Sequence, residues 1–205
     1  MSDLPAGRQP VGGEWVIKVK YNTDGSVEPY KGRIVDKGYS QIEGLDYDET
    51  IAPVTRHDSL RLMIALPTHR GLDTDQLDIK SAFLHGDLVK EMWMILPPGI
   101  GLDGKIFRLG KALYGLKQAQ LAGFEKLSEA LAEIWSISLP FDAHVFMSAD
   151  HKIIVLVYVD NITSAGSRLY INCVINHLRS RFKIPVKGSL KYILGIEIKH
   201  TPEGM

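Results

Sequence analysis

The sequence predicts an α+β fold in which helices back an antiparallel sheet. Alternating apolar and polar residues flank the Asn-Thr-Asp-Gly stretch at 22–25, and this pattern is typical of a β-hairpin. Three later stretches have the three- and four-residue apolar spacing of amphipathic helices, and strand-like segments separate them. The predicted order is hairpin, helix, strand, helix, strand, helix, strand.

The first predicted helix contains DSLRLMIAL, with Asp58 as its expected N-cap. The second follows a basic, glycine-containing turn, and the third contains LYINCVINHLRSRF. A final pair of strands is expected in LKYILGIEIK. Four residues of the second helix are expected in the core: Phe124, Leu127, Leu131 and Ile134.

Two aspartates, well separated in the chain, follow strand-like segments. Asp78 lies in DTDQLDIKSAFLHGDL, before a helix-compatible stretch, and Asp160 follows the apolar run at 153–159. Adjacent strands would bring the two carboxylates face to face, and Mg²⁺ prefers such oxygen ligands. Taken alone, the Asp160-Asn161 dipeptide favours a plain hairpin turn.

A hydrophobic content of 45% over 205 residues is enough for a sizeable core. The 24 basic and 24 acidic residues cancel, so polyanion binding would need a local patch. Cys173 is the only cysteine, which excludes an internal disulfide, favours a reducing compartment and predicts packing as a small apolar residue. The run at 153–159 is shorter than the roughly 20 residues of a membrane helix, and residues 1–10 lack the apolar core of a signal peptide. We therefore expect an intracellular protein that is not secreted.

The predicted hairpin carries a basic patch, formed by Lys18, Lys20, Lys31, Arg33 and Lys37. Such charges are typical of a solvated polar face, and a flap that grips phosphates is the sharper alternative. The GIGLDG segment at 99–104 has the spacing of a dinucleotide fingerprint, but prolines precede it and a strand-like segment follows it. We therefore predict a loop there.

Five ordered segments together resemble the reverse transcriptase domain of copia-type LTR retrotransposon Pol polyproteins. They are YKGRIVDKGYSQIEGLDYDETIAPV (30–54), QLDIKSAFLHGDL (76–88), LYGLKQA (113–119), LVYVDN (156–161) and LKYILGIEI (190–198). The resemblance runs from about residue 4 to about residue 199 and so covers nearly the whole chain.

The resemblance implies one reverse transcriptase domain over residues 1–205 with the fingers and palm of a right-hand polymerase. The fingers would take approximately residues 10–70 and 88–125, and the palm approximately residues 71–87 and 126–199. The antiparallel sheet would belong to the palm. Because the sequence ends soon after the last matching segment, we expect the thumb to be largely absent.

The resemblance also implies the chemistry of nucleotidyl transfer. Asp78 matches the first metal-binding aspartate, and Asp160 matches the first aspartate of the family's Tyr-x-Asp-Asp turn. With Ile79 they would hold two Mg²⁺ ions, or Mn²⁺ in their place, that align a primer 3′-hydroxyl with the α-phosphate of a dNTP. The catalytic set is thus Asp78, Asp160 and Asn161.

Five residues are implied in dNTP binding. Lys31 and Arg33 would contact the triphosphate. Phe83 matches the steric gate that disfavours a ribose 2′-hydroxyl, although an ordinary core aromatic would have the same pattern. Tyr114 and Gly115 match the turn beside the nucleotide, where the missing side chain of Gly115 permits close approach.

Five further residues are implied in contacts to template or primer. Lys117 and Gln118 continue the turn that matches beside the template. Tyr158 precedes the Asp160 turn. Leu194 and Gly195 resemble the primer grip.

Several positions depart from the family pattern. Asn161 replaces the second aspartate, so the site loses a full negative charge. The segment IPVKG at 184–188 replaces the usual Lys-Asp-Leu-Gly, so the family's lysine proton donor does not carry over, and Lys187 or Lys183 is a candidate substitute. The usual proline, arginine and tryptophan are replaced by Gln120, Leu121 and Gly123.

Three functions follow as alternatives. The first is an RNA-directed DNA polymerase that acts on an RNA or DNA template with a primer, uses dNTPs and works with the integrase and RNase H segments of its parent polyprotein. Its location would be a cytoplasmic particle or the nucleus, without a membrane partner. The second is a decayed copy that at most binds primer–template. The third is a two-metal nuclease or phosphotransferase.

Overall fold

The computed structural model describes residues 3–19, 26–27, 30–52, 55–79, 82–134, 136–193 and 195–199. Sheets and three α-helices occur together, as the sequence predicts. The chain divides into two compact units. The first unit comprises Met1–Ile51 and Phe83–Gly123, and the second comprises Ala52–Ala82 and Phe124–Met205.

The elements are numbered in chain order. The helices are α1 (His57–Arg70), α2 (Ala119–Ala132) and α3 (Arg168–Arg181). The strands are β1 (Val11–Lys18), β2 (Lys31–Asp36), β3 (Asp73–Asp78), β4 (Trp93–Ile95), β5 (Ile106–Arg108), β6 (Ser136–Leu139), β7 (Asp142–Ser148), β8 (Ile153–Tyr158), β9 (Asn161–Gly166), β10 (Val186–Gly188), β11 (Tyr192–Ile193) and β12 (Ile196–Glu197).

The first unit contains a four-stranded sheet in the order β2-β1-β4-β5. The predicted hairpin strands β1 and β2 are antiparallel, from the pair Gly13–Asp36 to the pair Lys18–Lys31, and the predicted turn at 22–25 lies outside the described residues. β4 runs parallel to β1 and antiparallel to β5. The GIGLDG segment forms turns before β5, which confirms the predicted loop.

The second unit contains a six-stranded antiparallel sheet in the order β10-β3-β9-β8-β7-β6. Its strand β8 is buried on both faces. Ile153, Val155 and Val157 pack in one cluster with residues of α2 and α3. Ile154 and Leu156 pack in a second cluster with residues of α1 and β11. Burial on two faces explains why the sequence of β8 is continuously apolar and does not alternate.

The helix predictions are confirmed for all three helices, with two local corrections. Leu127, Leu131 and Ile134 are buried and Phe124 is partly buried, as expected. The stretch after Asp78, expected to be helix-compatible, forms only a 3₁₀ turn at Ala82–His85. Among the described helices none is long and apolar enough to cross a membrane.

Asp58 does not cap α1, because the helix is capped from a neighbouring strand. The N-cap is Arg56, and the carboxylate of Asp142 on β7 accepts its backbone N–H at 3.0 Å and the Ser59 hydroxyl at 2.5 Å. Burial opposes ionisation of Asp142, but the hydrogen bonds from Ser59 and from the two backbone N–H groups outweigh it and lower its pKa. Asp58 itself is exposed and pairs with Arg61 at 3.4 Å.

Helix α3 is joined to β3 through its first residue. The Arg168 guanidinium contacts Asp75 at 2.9 Å and Asp73 at 3.3 Å. Two-point contacts of this kind hold the start of the helix over the sheet. Cys173 on the same helix is exposed, so the expectation that it packs as a small apolar residue was wrong.

The turn between β8 and β9 contains two residues, Val159 and Asp160. Tyr158 pairs with Asn161, so Asn161 is the first residue of β9 and not half of the turn. Val159 has φ of 56°, which a β-branched side chain tolerates poorly. Two-residue hairpins need positive φ at the first central position, which explains the strain.

Asp36, at the end of β2, is a buried acid for which the described residues provide no counter-charge. It is 2% exposed, and among the described residues no donor reaches either carboxylate oxygen. Burial raises its pKa from 3.8 to about 7. The native carboxyl therefore stays protonated through a pH range in which the carboxyl of the unfolded chain is ionised.

Asp36→Asn is expected to remove a pH dependence of stability. Since the native pKa is the higher one, the contribution of Asp36 to stability is complete below about pH 4 and falls until about pH 7. At pH 8 the variant should be more stable by up to about 4 kcal/mol, and at pH 4 nearly equal. Urea unfolding at both pH values measures this. An equal difference at pH 4 and pH 8 would contradict it.

Val159→Gly is expected to stabilise the chain by about 1 kcal/mol, because relief of the positive φ exceeds the entropy that glycine adds to the unfolded state. The same replacement at exposed Val89, which does not have positive φ, is the matched control and should be slightly destabilising. Urea unfolding of both variants tests the strain. Equal losses of stability in the two would show that Val159 is unstrained.

Candidate active site

The register of β3 against β9 brings three predicted catalytic residues together. Asp78, the last residue of β3, pairs with Asn161, the first of β9. The backbone N–H of Ile79 donates to the carbonyl of Asp160 at 2.7 Å. Asp78 and Asp160 therefore lie at the same end of the sheet in the second unit.

The side chain of Asn161 is tied to both of its neighbours in this cluster. Its Nδ2 donates to Asp160 Oδ1 at 2.8 Å. Its Oδ1 accepts from Lys187 Nζ at 3.3 Å. The only acceptor atom of the amide is therefore in contact with an ammonium group.

Lys187 was predicted only as a substitute proton donor, and the structure places it beside the acidic pair. It lies on β10, whose pairing with β3 shifts register between Val186 and Gly188. Its Nζ is 3.6 Å from Asp78 Oδ1, and both side chains are partly exposed. No contact of Lys183 with this cluster is seen.

These residues do not fit a pair of Mg²⁺ ions. Two carboxylates are present, and the described residues contain no group of three or more His, Cys, Asp or Glu side chains that could hold a metal ion. The remaining polar groups are the backbone carbonyl of Ile79, a neutral amide and an ammonium, and the ammonium already contacts Asp78 and Asn161. Hard dications need several oxygen ligands and are repelled by a nearby cation.

A cavity of about 210 Å³ opens beside Asn161 in the second unit. Its lining includes Tyr158, one of the residues implied in primer or template contact. Gly195 has φ of 84° in the turn between β11 and β12, where only glycine is unstrained. Leu194 lies outside the described residues. The other lining residues are Gln76, Leu156, Thr163, Tyr192 and Ile193.

In the first unit, three residues implied in dNTP binding form one stack. The Arg33 guanidinium lies 5.4 Å from the ring centroid of Tyr114. The Tyr114 ring meets Phe83 edge to face, with centroids 5.0 Å apart. Cation–π and edge-to-face contacts both favour a fixed orientation. Phe83 also packs against the apolar cluster of this unit, and for Lys31 only the backbone in β2 is described.

Gly115 is required by a close crossing of two backbones. The N–H of Asp36 donates to the Tyr114 carbonyl at 2.7 Å, and Gly115 has φ of 94°. A Cβ on Gly115 would lie 2.0 Å from the Asp36 carbonyl oxygen, and one on Gly38 would lie 2.0 Å from the Gly115 carbonyl oxygen. No side chain fits at either position.

Lys117 and Gln118 are held by a residue that the sequence analysis missed. Buried Gln41 donates to Gln118 Oε1 at 2.9 Å and accepts the Lys117 backbone N–H at 2.8 Å. The Lys117 ammonium donates to the Tyr47 hydroxyl at 3.0 Å. The signal for Gln41 was its place inside the first matching segment.

The predicted residues thus form two groups. Asp78, Ile79, Tyr158, Asp160 and Asn161 belong to the second unit, with Gly195. The first unit contains Lys31, Arg33, Phe83, Tyr114, Gly115, Lys117 and Gln118.

Comparison with known proteins shows which family the chain belongs to. The model of the family described as reverse transcriptase (RNA-dependent DNA polymerase) matches residues 1–205. The chain is 40% identical over 201 residues to the retrovirus-related Pol polyprotein from transposon RE1 of Arabidopsis thaliana, which covers 95% of the chain and 14% of that protein. The corresponding protein from transposon RE2 of the same plant is 37% identical over 201 residues, with the same two coverages.

A third relative is the retrovirus-related Pol polyprotein from transposon TNT 1-94 of Nicotiana tabacum. It is 35% identical over 203 residues, 96% of the chain and 15% of that protein. The chain therefore spans only 14% to 15% of the length of these relatives. Reverse transcriptases act on nucleic-acid templates and normally use divalent metals. The chain belongs to the reverse transcriptase (RNA-dependent DNA polymerase) family and is similar to the copia-type Pol polyproteins of plant transposons.

Proposed function

We propose that this chain is the polymerase domain of a retrotransposon Pol polyprotein in which nucleotidyl transfer is strongly reduced and primer–template binding persists. The observation that carries the proposal is the contact of Lys187 with Asn161 and Asp78 at the acidic pair. In this proposal the chain works on an RNA or DNA template with the integrase and RNase H segments of its parent polyprotein, in a cytoplasmic particle or the nucleus.

The missing carboxylate at Asn161 has a large effect on this chemistry. One charge pair at 4 Å is worth about 4 kcal/mol at an effective dielectric near 20. If about 3 kcal/mol of that acted in the transition state, the rate would fall roughly a hundredfold. At this place the chain has two carboxylates, an amide and an ammonium. The ammonium offsets part of the negative charge of the carboxylates, and the set is poorly suited to catalysis.

The binding surfaces are better supported than the chemistry. In this proposal residues 10–70 and 88–125 are fingers, and residues 71–87 and 126–199 are palm. The stack of Arg33 on Tyr114 leaves the guanidinium in a fixed position, which suits a phosphate. Phe83 then serves as the steric gate. Gly115 contributes to this surface indirectly, because its missing side chain admits the Asp36 backbone and so fixes the turn that follows Tyr114.

A second candidate is an active polymerase. The register of β3 against β9 keeps Asp78 and Asp160 at one end of the sheet, which favours it. In that case the amide of Asn161 would have to release Lys187 and supply an oxygen ligand. The two candidates differ in the rate of primer extension.

Asn161→Asp is expected to raise primer extension by roughly a hundredfold, because it adds a carboxylate that would help to hold a divalent metal in the transition state. The assay compares the unmodified chain and the variant on an RNA template with a DNA primer, in Mg²⁺ and in Mn²⁺. Asp78→Ala gives the background. If Asp78→Ala abolishes extension and the unmodified chain extends the primer as fast as Asn161→Asp does, the proposed reduction of nucleotidyl transfer is contradicted.

Affinity for an RNA–DNA hybrid is expected to fall with rising salt, because basic side chains of β1 and β2 contact phosphates. Lys18→Met should reduce the slope of log affinity against log salt by about one. Lys126→Met, which removes the partner of Glu129 on α2, is the charge-matched control and should leave the slope unchanged. Fluorescence anisotropy measures both. Equal slopes for all three proteins would remove Lys18 from the interface.

A further inference from the structure

We propose that Lys187 is an internal counter-ion, which partly offsets the charge of the acidic pair in place of a divalent cation. The inference rests on the proposed function, because it concerns the same site. It adds an explanation of how the negative charge of the two carboxylates is offset there. The ligand that we infer for this site is therefore a nucleic acid, bound without a divalent metal.

The backbone of β10 delivers Lys187 to the acidic pair. Val186 pairs with Leu77, and Gly188 pairs with Gln76, so the residue between them is extra in the ladder. A bulge of this kind re-aims the side chain of the inserted residue. Gly188, with φ of 78°, permits the local bend.

The contacts form one continuous chain of polar groups. The ammonium of Lys187 lies 3.6 Å from Asp78 and donates to Asn161 at 3.3 Å, and Asn161 donates to Asp160 at 2.8 Å. Each of the two carboxylates is thereby in contact with a donor from this chain. An aspartate at position 161 would lose the donor to Asp160 and add a third negative charge.

The consequence concerns divalent ions. A dication that approaches Asp78 must displace an ammonium already 3.6 Å away. Two carboxylates and one ammonium leave one carboxylate charge uncompensated, whereas a site with three carboxylates would attract the dication more strongly. Mg²⁺ also loses its water reluctantly. A tethered ammonium therefore reduces the repulsion between this acidic pair and a phosphate backbone without any metal.

The test is Mn²⁺ binding to the intact chain, with free Mn²⁺ measured by electron paramagnetic resonance. Lys187→Met should bind Mn²⁺ about tenfold more tightly than the unmodified chain, since a cation near the ligands is lost. Asn161→Asp should also bind more tightly, and the double variant should exceed either. Lys191→Met, which removes an exposed lysine from the same part of the chain, is the charge-matched control and should show no change.

Equal Mn²⁺ affinities for Lys187→Met and Lys191→Met would overturn the inference. Thermal melting checks that each variant is folded, and Lys187→Gln, which removes the same charge and keeps a polar side chain, must reproduce the increase. Hybrid binding in EDTA separates this inference from the proposed function. If none of the proteins binds the hybrid, the proposed function is contradicted and the counter-ion inference is not. If Lys187→Met binds the hybrid only when Mn²⁺ is present, the counter-ion inference is supported.

Discussion

The pairing of β3 with β9 is the constraint on which the candidate site depends. Side chains alternate between the two faces of a strand, so a shift of one residue would turn Asp78 away from Asn161 and move Leu77, the one apolar residue of β3, to the other face. The register is fixed by burial, because Leu77 and Ile162 pair in the core. The position of the acidic pair is therefore a by-product of core packing.

The negative charge of this acidic pair is partly offset by a lysine side chain. The neutral amide of Asn161 lies beside the two carboxylates, and Lys187 contacts both Asp78 and that amide. Asn161 and Lys187 lie on different strands, β9 and β10, yet they meet in one hydrogen-bonded cluster. Each makes the other less costly, because the amide oxygen accepts from the ammonium and so leaves neither group unpaired.

The sequence predicted the elements well where the signal was local. The apolar run of β8 and the spacing of Leu127 and Leu131 needed no knowledge of other segments. The cap of α1 could not be predicted, because it comes from Asp142, which is distant in sequence. The position of Lys187 was equally hard to predict, because Gly188 permits a bulge but does not show which strand β10 pairs with. Gln41 belonged to a matching segment, but its hydrogen bonds to the Lys117 turn required the folded backbone.

The strained turn at Val159 has a consequence for how ligands meet Asp160. Tyr158 and Asn161 close the turn, and Asp160 is held by its backbone bond to Ile79 and its side-chain bond to Asn161. The conformational entropy of this carboxylate is therefore lost during folding, before any ligand arrives. Differences in ion affinity among variants at position 187 will then report electrostatics, with little contribution from ordering of the turn, whereas Asn161→Asp also removes one of the bonds that hold Asp160.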